Sequence, residues 1–259
     1  MTETAMHNAR RSLTALILGA ALTLSGACEI ETGAGAGTGT SGAEAPPPAS
    51  APASSGEAPC ATRQDTGRAG SFDEAEFQED LRTAENIVNG YWAKHWPQLF
   101  TGEYRPPRVV GLYEGGDPAT SPACGGKPLE RDNAVYCPAG DFVAWDDHLM
   151  RSGYPRGDAW VYLVIAHEWG HAVQNRLRRE LVSPAAELQA DCLAGGVLYG
   201  AADDGTLQFE AGDEQEIVDS FRVIGDGVPW TRPGDHGSAA ERLRNFARGG
   251  QGGVRACFG

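Results

Sequence analysis

The feature that constrains this chain most is a long apolar run with three polar residues set inside it. Asp158 precedes Ala159–Arg178, whose first half holds Trp160, Val161, Leu163, Val164 and Ile165, followed by His167, Glu168 and His171. A helix that apolar on all sides belongs in the centre of a core. Imidazoles and a carboxylate are costly to bury there without partners. Residues i and i+4 share one helical face, so His167 and His171 can reach a single ion, and Glu168 stands beside them to take a proton from water. The fold must therefore be built around this helix, and it must supply the helix with a cation.

A third ligand is within reach. Ser183-Pro184 reads as an N-cap followed by a first-turn proline, opening a helix that runs to about Ala202. On that helix Glu187 and Asp191 are i and i+4. Glu187 follows His171 at a distance that lets one helix end, turn and return antiparallel. Two His and one Glu leave a fourth position open, as in catalytic zinc sites, and one zinc ion is expected. Asp191, one turn on, is placed to accept the free ring N–H of a ligand His. Gln174 and Leu177 stand where an extended three-His zinc motif needs Gly and His, and paired Cys spacings for a structural site are absent.

The elements around this pair are mostly helical. Ser71 and Glu74 form a capping box for a helix striped by Phe77, Leu81, Ala84, Val88 and Tyr91, which Pro97 is expected to end. Arg108–Glu114, Ala134–Pro138 and Phe142–Trp145 read as short strands, the last a candidate edge for an extended peptide. Asp158 is expected to cap the apolar helix. Further helices are expected over Asp213–Ile224 and from Ser238, which with Glu241 makes a second capping box, to Gly249. The class is α+β, mostly helical with a small mixed sheet.

The first 59 residues are of another kind. Arg10 and Arg11 precede the uncharged apolar stretch Leu13–Leu24, too short to span a bilayer, and small residues follow it, as in an export signal. Leu24-Ser25-Gly26-Ala27-Cys28 resembles a bacterial lipobox, with Leu24 one residue early, which implies a lipid on Cys28 and attachment to the outer face of the cell membrane. Without lipidation the protein would be secreted. Residues 32–58 hold only Gly, Ala, Ser, Thr and Pro apart from Glu44 and Glu57, and cannot bury enough apolar surface to order themselves. The expected organisation is thus a signal peptide over 1–28, a disordered tether over 29–59 and one folded domain over 60–259. A net charge of −14 excludes a nucleic-acid partner and leaves lipid as the only membrane contact.

His167-Glu168-Trp169-Gly170-His171-Ala172-Val173-Gln174, then Glu187-Leu188-Gln189-Ala190-Asp191-Cys192, then Asp235-His236-Gly237-Ser238 with Glu241-Arg242, resembles the bacterial putative neutral zinc metallopeptidase family, a gluzincin-type group. The resemblance covers roughly residues 70–250. It implies a zincin-like metallopeptidase domain with a peptide or protein substrate. His167, His171 and Glu187 would be the zinc ligands and Glu168 the general base. Gluzincin relatives carry a late His followed by an Arg, which implies that His236 hydrogen-bonds the oxyanion; the competing reading is a packing or capping loop His. Arg242 is expected to be structural, pairing with a buried carboxylate such as Asp191 or one of the neighbours of Glu187. His95 and His148 are expected at the surface or in packing.

Export allows disulfides. Cys124 and Cys137 flank a polar Gly-rich loop and are expected to pair. The resemblance implies that Cys192 is a buried free thiol, with Cys60 bonded to Cys257; the alternative joins Cys192 to Cys257 and frees Cys60. Two function classes remain: a zinc-dependent endopeptidase held outside the cytoplasmic membrane, or a zinc-stabilised scaffold lipoprotein without turnover.

Overall fold

The structure is a computed structural model that describes residues 72–224 and 237–258. Ser71, His236, Cys28 and Cys60, with the expected signal and tether, lie outside the described residues.

Helix α1 spans Glu74–Leu99. Its expected stripe is buried, joined by Trp92 and Trp96. The cap is Asp73 rather than Ser71, because the Asp73 carboxylate accepts from the Ala75 N–H at 2.9 Å and the Glu76 N–H at 3.2 Å. The Glu74 carboxylate is drawn instead to Arg151. Pro97 does not end the helix. A proline costs one intrahelical bond, and the neighbouring Trp96 is anchored in the core while the Phe100 N–H still reaches the Trp96 carbonyl at 2.8 Å.

Five short strands follow: β1 (Arg108–Tyr113), β2 (Ala123–Cys124), β3 (Lys127–Pro128), β4 (Ala134–Cys137) and β5 (Phe142–Asp146). Strands β2 and β3 form a hairpin across Gly125-Gly126, both at positive φ, as a tight two-residue turn requires. The main sheet has the order β1-β5-β4, with β1 parallel and β4 antiparallel to β5. The expectation that Phe142–Trp145 forms an edge is therefore wrong. All of β5 is buried, as suits a central strand, and β4 is an edge. The Cys124–Cys137 disulfide ties the hairpin to β4.

Helix α2 (Asp147–Gly153) leads to α3 (Ala159–Gln174), in which every residue but Tyr162 and His171 is buried. It packs against α1, α2, β4 and β5 and against two later helices, α4 (Ala186–Asp203) and α5 (Asp213–Ile224). Helix α3 stops at Gln174, short of Arg178, where the chain tightens through a bond from the Arg176 N–H to the Val173 carbonyl. Helix α4 begins at Ala186, because the Ser183 hydroxyl accepts from the Ala185 N–H and so shapes the turn before the helix rather than capping it.

Helix α6 (Ala239–Gly252) opens with the expected Ser238–Glu241 capping box and runs past Gly249. Gly249 marks a close approach rather than an end: a Cβ there would overlap the Cys192 carbonyl, and one at Gly195 would overlap the Phe246 carbonyl. Glycines thus let α4 and α6 cross nearly backbone to backbone. The Cys192–Cys257 disulfide closes the same junction, so the free-thiol reading of Cys192 gives way to the alternative.

Asp158 sits at the N-cap of α3 but makes no side-chain cap bond. The Glu216 carboxylate of α5 stands there instead, 3.4 Å from the Ala159 N–H. Burial and the nearby carboxylates of Asp213, Asp80, Glu216 and Glu210 push Asp158 up to about 6. The fold therefore disfavours its charge. This penalty is absent below pH 4, where the group is neutral in both states, grows between pH 4 and 6, and is complete above 6. Asp158→Asn should raise the melting temperature at pH 7 and leave it unchanged near pH 4. Gly249→Ala should cost about 1–3 kcal/mol or more in urea unfolding. Gly90→Ala, at an α1 site with nothing within 4 Å of an added Cβ, should gain about 0.5–1 kcal/mol.

Candidate metal centre

His167 and His171 project from consecutive turns of α3, and Glu187 comes from the first turn of α4. Their donor atoms converge. His167 Nε2 and His171 Nε2 are 3.1 Å apart, Glu187 Oε2 is 3.2 Å from the first, and Glu187 Oε1 is 3.3 Å from the second. A tetrahedral ion with bonds of about 2.0–2.1 Å spaces its donors about 3.3 Å apart. The separations therefore fit zinc.

The protonation pattern behind the donors points the same way. The Gln174 amide nitrogen lies 2.7 Å from the Ala186 carbonyl and 3.2 Å from Gln189 Oε1, both acceptors. That leaves Gln174 Oε1 facing His171 Nδ1 at 2.9 Å, so His171 donates from Nδ1 and presents a bare lone pair at Nε2. His167 Nδ1 meets Asp191 Oδ1 at 2.8 Å, which fixes its tautomer in the same sense. With both rings neutral, two imidazole lone pairs and a carboxylate face one another across this gap. A cation resolves that arrangement. Burial works against charge on His167, yet Asp191 and Glu187 outweigh it and raise the ring to about 10, so the surroundings favour positive charge at this point.

Asp191 has no solvent exposure at all. Besides His167 it accepts from Arg242 twice, Nε to Oδ2 at 2.9 Å and Nη2 to Oδ1 at 2.8 Å. Arg242 Nη1 continues to the Ile224 carbonyl at 2.9 Å. Burial alone would raise Asp191; His167 and Arg242 instead hold it below the usual carboxylate range. The expected Arg242–Asp191 pair is thus present, and it joins α4, α5 and α6 behind the site.

Glu168 is buried and lines the same cleft, of about 660 Å³, as His167, His171 and Glu187. One wall of that cleft is Ala134, Val135 and Tyr136 of the β4 edge; Val164, Leu149 and Ile224 also line it. His95 pairs with Asp204 at 2.7 Å, and His148 pairs with Asp132, which lines the cleft. Two other groups of possible ligands come together among the described residues, Asp132–Asp146–His148 and Asp158–Asp213–Glu216. In the first, both Asp146 oxygens are occupied by backbone N–H groups of Gly115, Asp132 and Leu149. Gln174 is the site residue that sequence reasoning missed. Gln174 lies three residues after His171, a candidate ligand, within reach on the same helical face, and that spacing was the available signal.

A family model described as putative neutral zinc metallopeptidase matches residues 51–258. No curated protein and no solved structure matches the chain.

Removing one member of a buried ion pair strands the other. Arg242→Met should destabilise the protein by about 3–5 kcal/mol in urea unfolding, and adding Asp191→Asn should recover part of that loss.

Proposed function

Because the chain belongs to the putative neutral zinc metallopeptidase family, we propose that it is an endopeptidase in which His167, His171 and Glu187 hold one zinc ion and Glu168 is the general base. The observation that carries this reading is the convergence of three donors at 3.1–3.3 Å in a cleft that also holds Glu168 and runs beside an open strand edge. Zinc bound there supplies Lewis acidity, polarising a carbonyl and lowering the pKa of water.

The chain's own residues do the rest. β4 has no second strand neighbour among the described residues. An extended substrate can therefore hydrogen-bond along Ala134–Cys137 and bring one peptide carbonyl over the donors. Glu168 takes a proton from the attacking water and passes it to the leaving amide nitrogen, so that nitrogen departs as a neutral amine. Asp191 and Gln174 keep the two imidazoles in the tautomers that present Nε2. His236, outside the described residues, is assigned as a donor to the developing oxyanion. A lipid on Cys28 and a tether over 29–59 would hold this domain outside the cytoplasmic membrane.

Glu168→Gln should bind zinc as tightly as the parent and lose hydrolysis of a peptide library by about 10²–10⁴-fold, measured by mass spectrometry of the digest. A chelator should abolish the parent's activity and zinc restore it. Stoichiometric zinc in a parent protein that cleaves nothing would favour the scaffold reading instead.

A further inference from the structure

Behind Gln174 lies a second buried amide that the proposed reaction does not use. Gln189, on α4 two residues after Glu187, is 5% exposed, and all of its polar capacity is spent. Its Nε2 donates to the Leu181 carbonyl at 2.8 Å and to the Cys257 carbonyl at 3.2 Å. Its Oε1 accepts from the Ser183 N–H at 3.0 Å and from Gln174 Nε2 at 3.2 Å. The sense of this amide is fixed from both ends. Turned over, its NH₂ would oppose two donors and its oxygen would oppose two carbonyls, leaving buried groups unsatisfied.

That fixed sense is passed on. With the Ala186 carbonyl, Gln189 Oε1 takes up both protons of the Gln174 amide, so Gln174 can turn only its oxygen to His171. Were Gln174 reversed, its NH₂ would face His171 Nδ1, and His171 would have to carry its proton on Nε2, where a metal ligand needs a lone pair. The Cys257 carbonyl is itself held in place by the Cys192–Cys257 bond. A hydrogen-bonded line thus runs from the C-terminal segment and the 181–183 loop through two amides to a ligand imidazole.

We infer that Gln189 is a positioning residue for the metal centre, setting the tautomer of His171 through Gln174 and so coupling the disulfide-pinned C-terminal segment to zinc affinity. This rests on the zinc reading above. Four variants of the full-length protein test it: Gln189→Met, Gln174→Met, the pair together, and Gln189→Glu. For each, zinc affinity is measured by competition with a chromogenic chelator, and the melting temperature is measured without metal.

Gln174→Met should weaken zinc by about 10–100-fold, and Gln189→Met by about 10-fold. In the Gln174→Met background Gln189→Met should weaken zinc no further, because no amide remains to orient. Gln189→Glu, protonated in this buried place so that one oxygen still accepts from Gln174 and Ser183 while its O–H donates to the Leu181 carbonyl, should stay within about 3-fold of the parent, and it serves if Gln189→Met does not fold. A merely structural role would lower the melting temperature while leaving zinc affinity alone, or would give losses that add in the double variant. Either result overturns the inference, as does a loss for Gln189→Glu as large as that for Gln189→Met. A parent protein that binds no zinc would instead sink the underlying reading.

Discussion

A carboxylate with no access to water has to be neutralised by other parts of the chain, and for Asp191 both partners come from other helices. His167 of α3 and Arg242 of α6 meet it within 2.9 Å. The ionised form costs several kcal/mol to bury and is retained only with complete partnering. Asp191 can therefore exist as it does only when α3, α4 and α6 are assembled. The same contact holds the His167 ring with Nε2 toward the cleft. Assembly of the three helices and placement of the candidate donors thus depend on the same contact.

The glycines of the α4–α6 crossing serve that contact. Arg242 lies at the start of α6, and the two helices come close enough for it to reach Asp191 because Gly195 and Gly249 carry no Cβ. On the other side, the sheet brings the β4 edge to the cleft by placing β5 in the centre. The three candidate donors thus stand on helices and one wall of the cleft is a strand edge, with the 130–133 loop beside it, which suits ligands that must keep donor spacings near 3.3 Å.

Much of this was legible in the sequence, because the signals were local. The apolar run around His167, the i,i+4 pairs and the Ser238–Glu241 box each act within one helix. The legible part extended to the Arg242–Asp191 pair, since an arginine near a buried carboxylate has few alternatives. What was missed depended on distant packing. Periodicity cannot say which strand lies centrally, so it does not set the buried β5 apart from an edge strand. Pro97 reads as a stop, yet Trp92 and Trp96 hold α1 in the core through it. Gly249 reads as a helix end when it is a contact. The Gln174–Gln189 chain was hidden because an amide's sense depends on neighbours that only the folded chain assembles.

Two imidazoles and one carboxylate on α3 and α4 should hold a single zinc ion. Zinc K-edge X-ray absorption on the purified, zinc-loaded protein tests it most directly. The expected result is one zinc per chain with only nitrogen and oxygen neighbours at about 2.0–2.1 Å, including the outer-shell scattering of imidazole. Sulfur scattering near 2.3 Å, or a protein that retains no zinc, would contradict it.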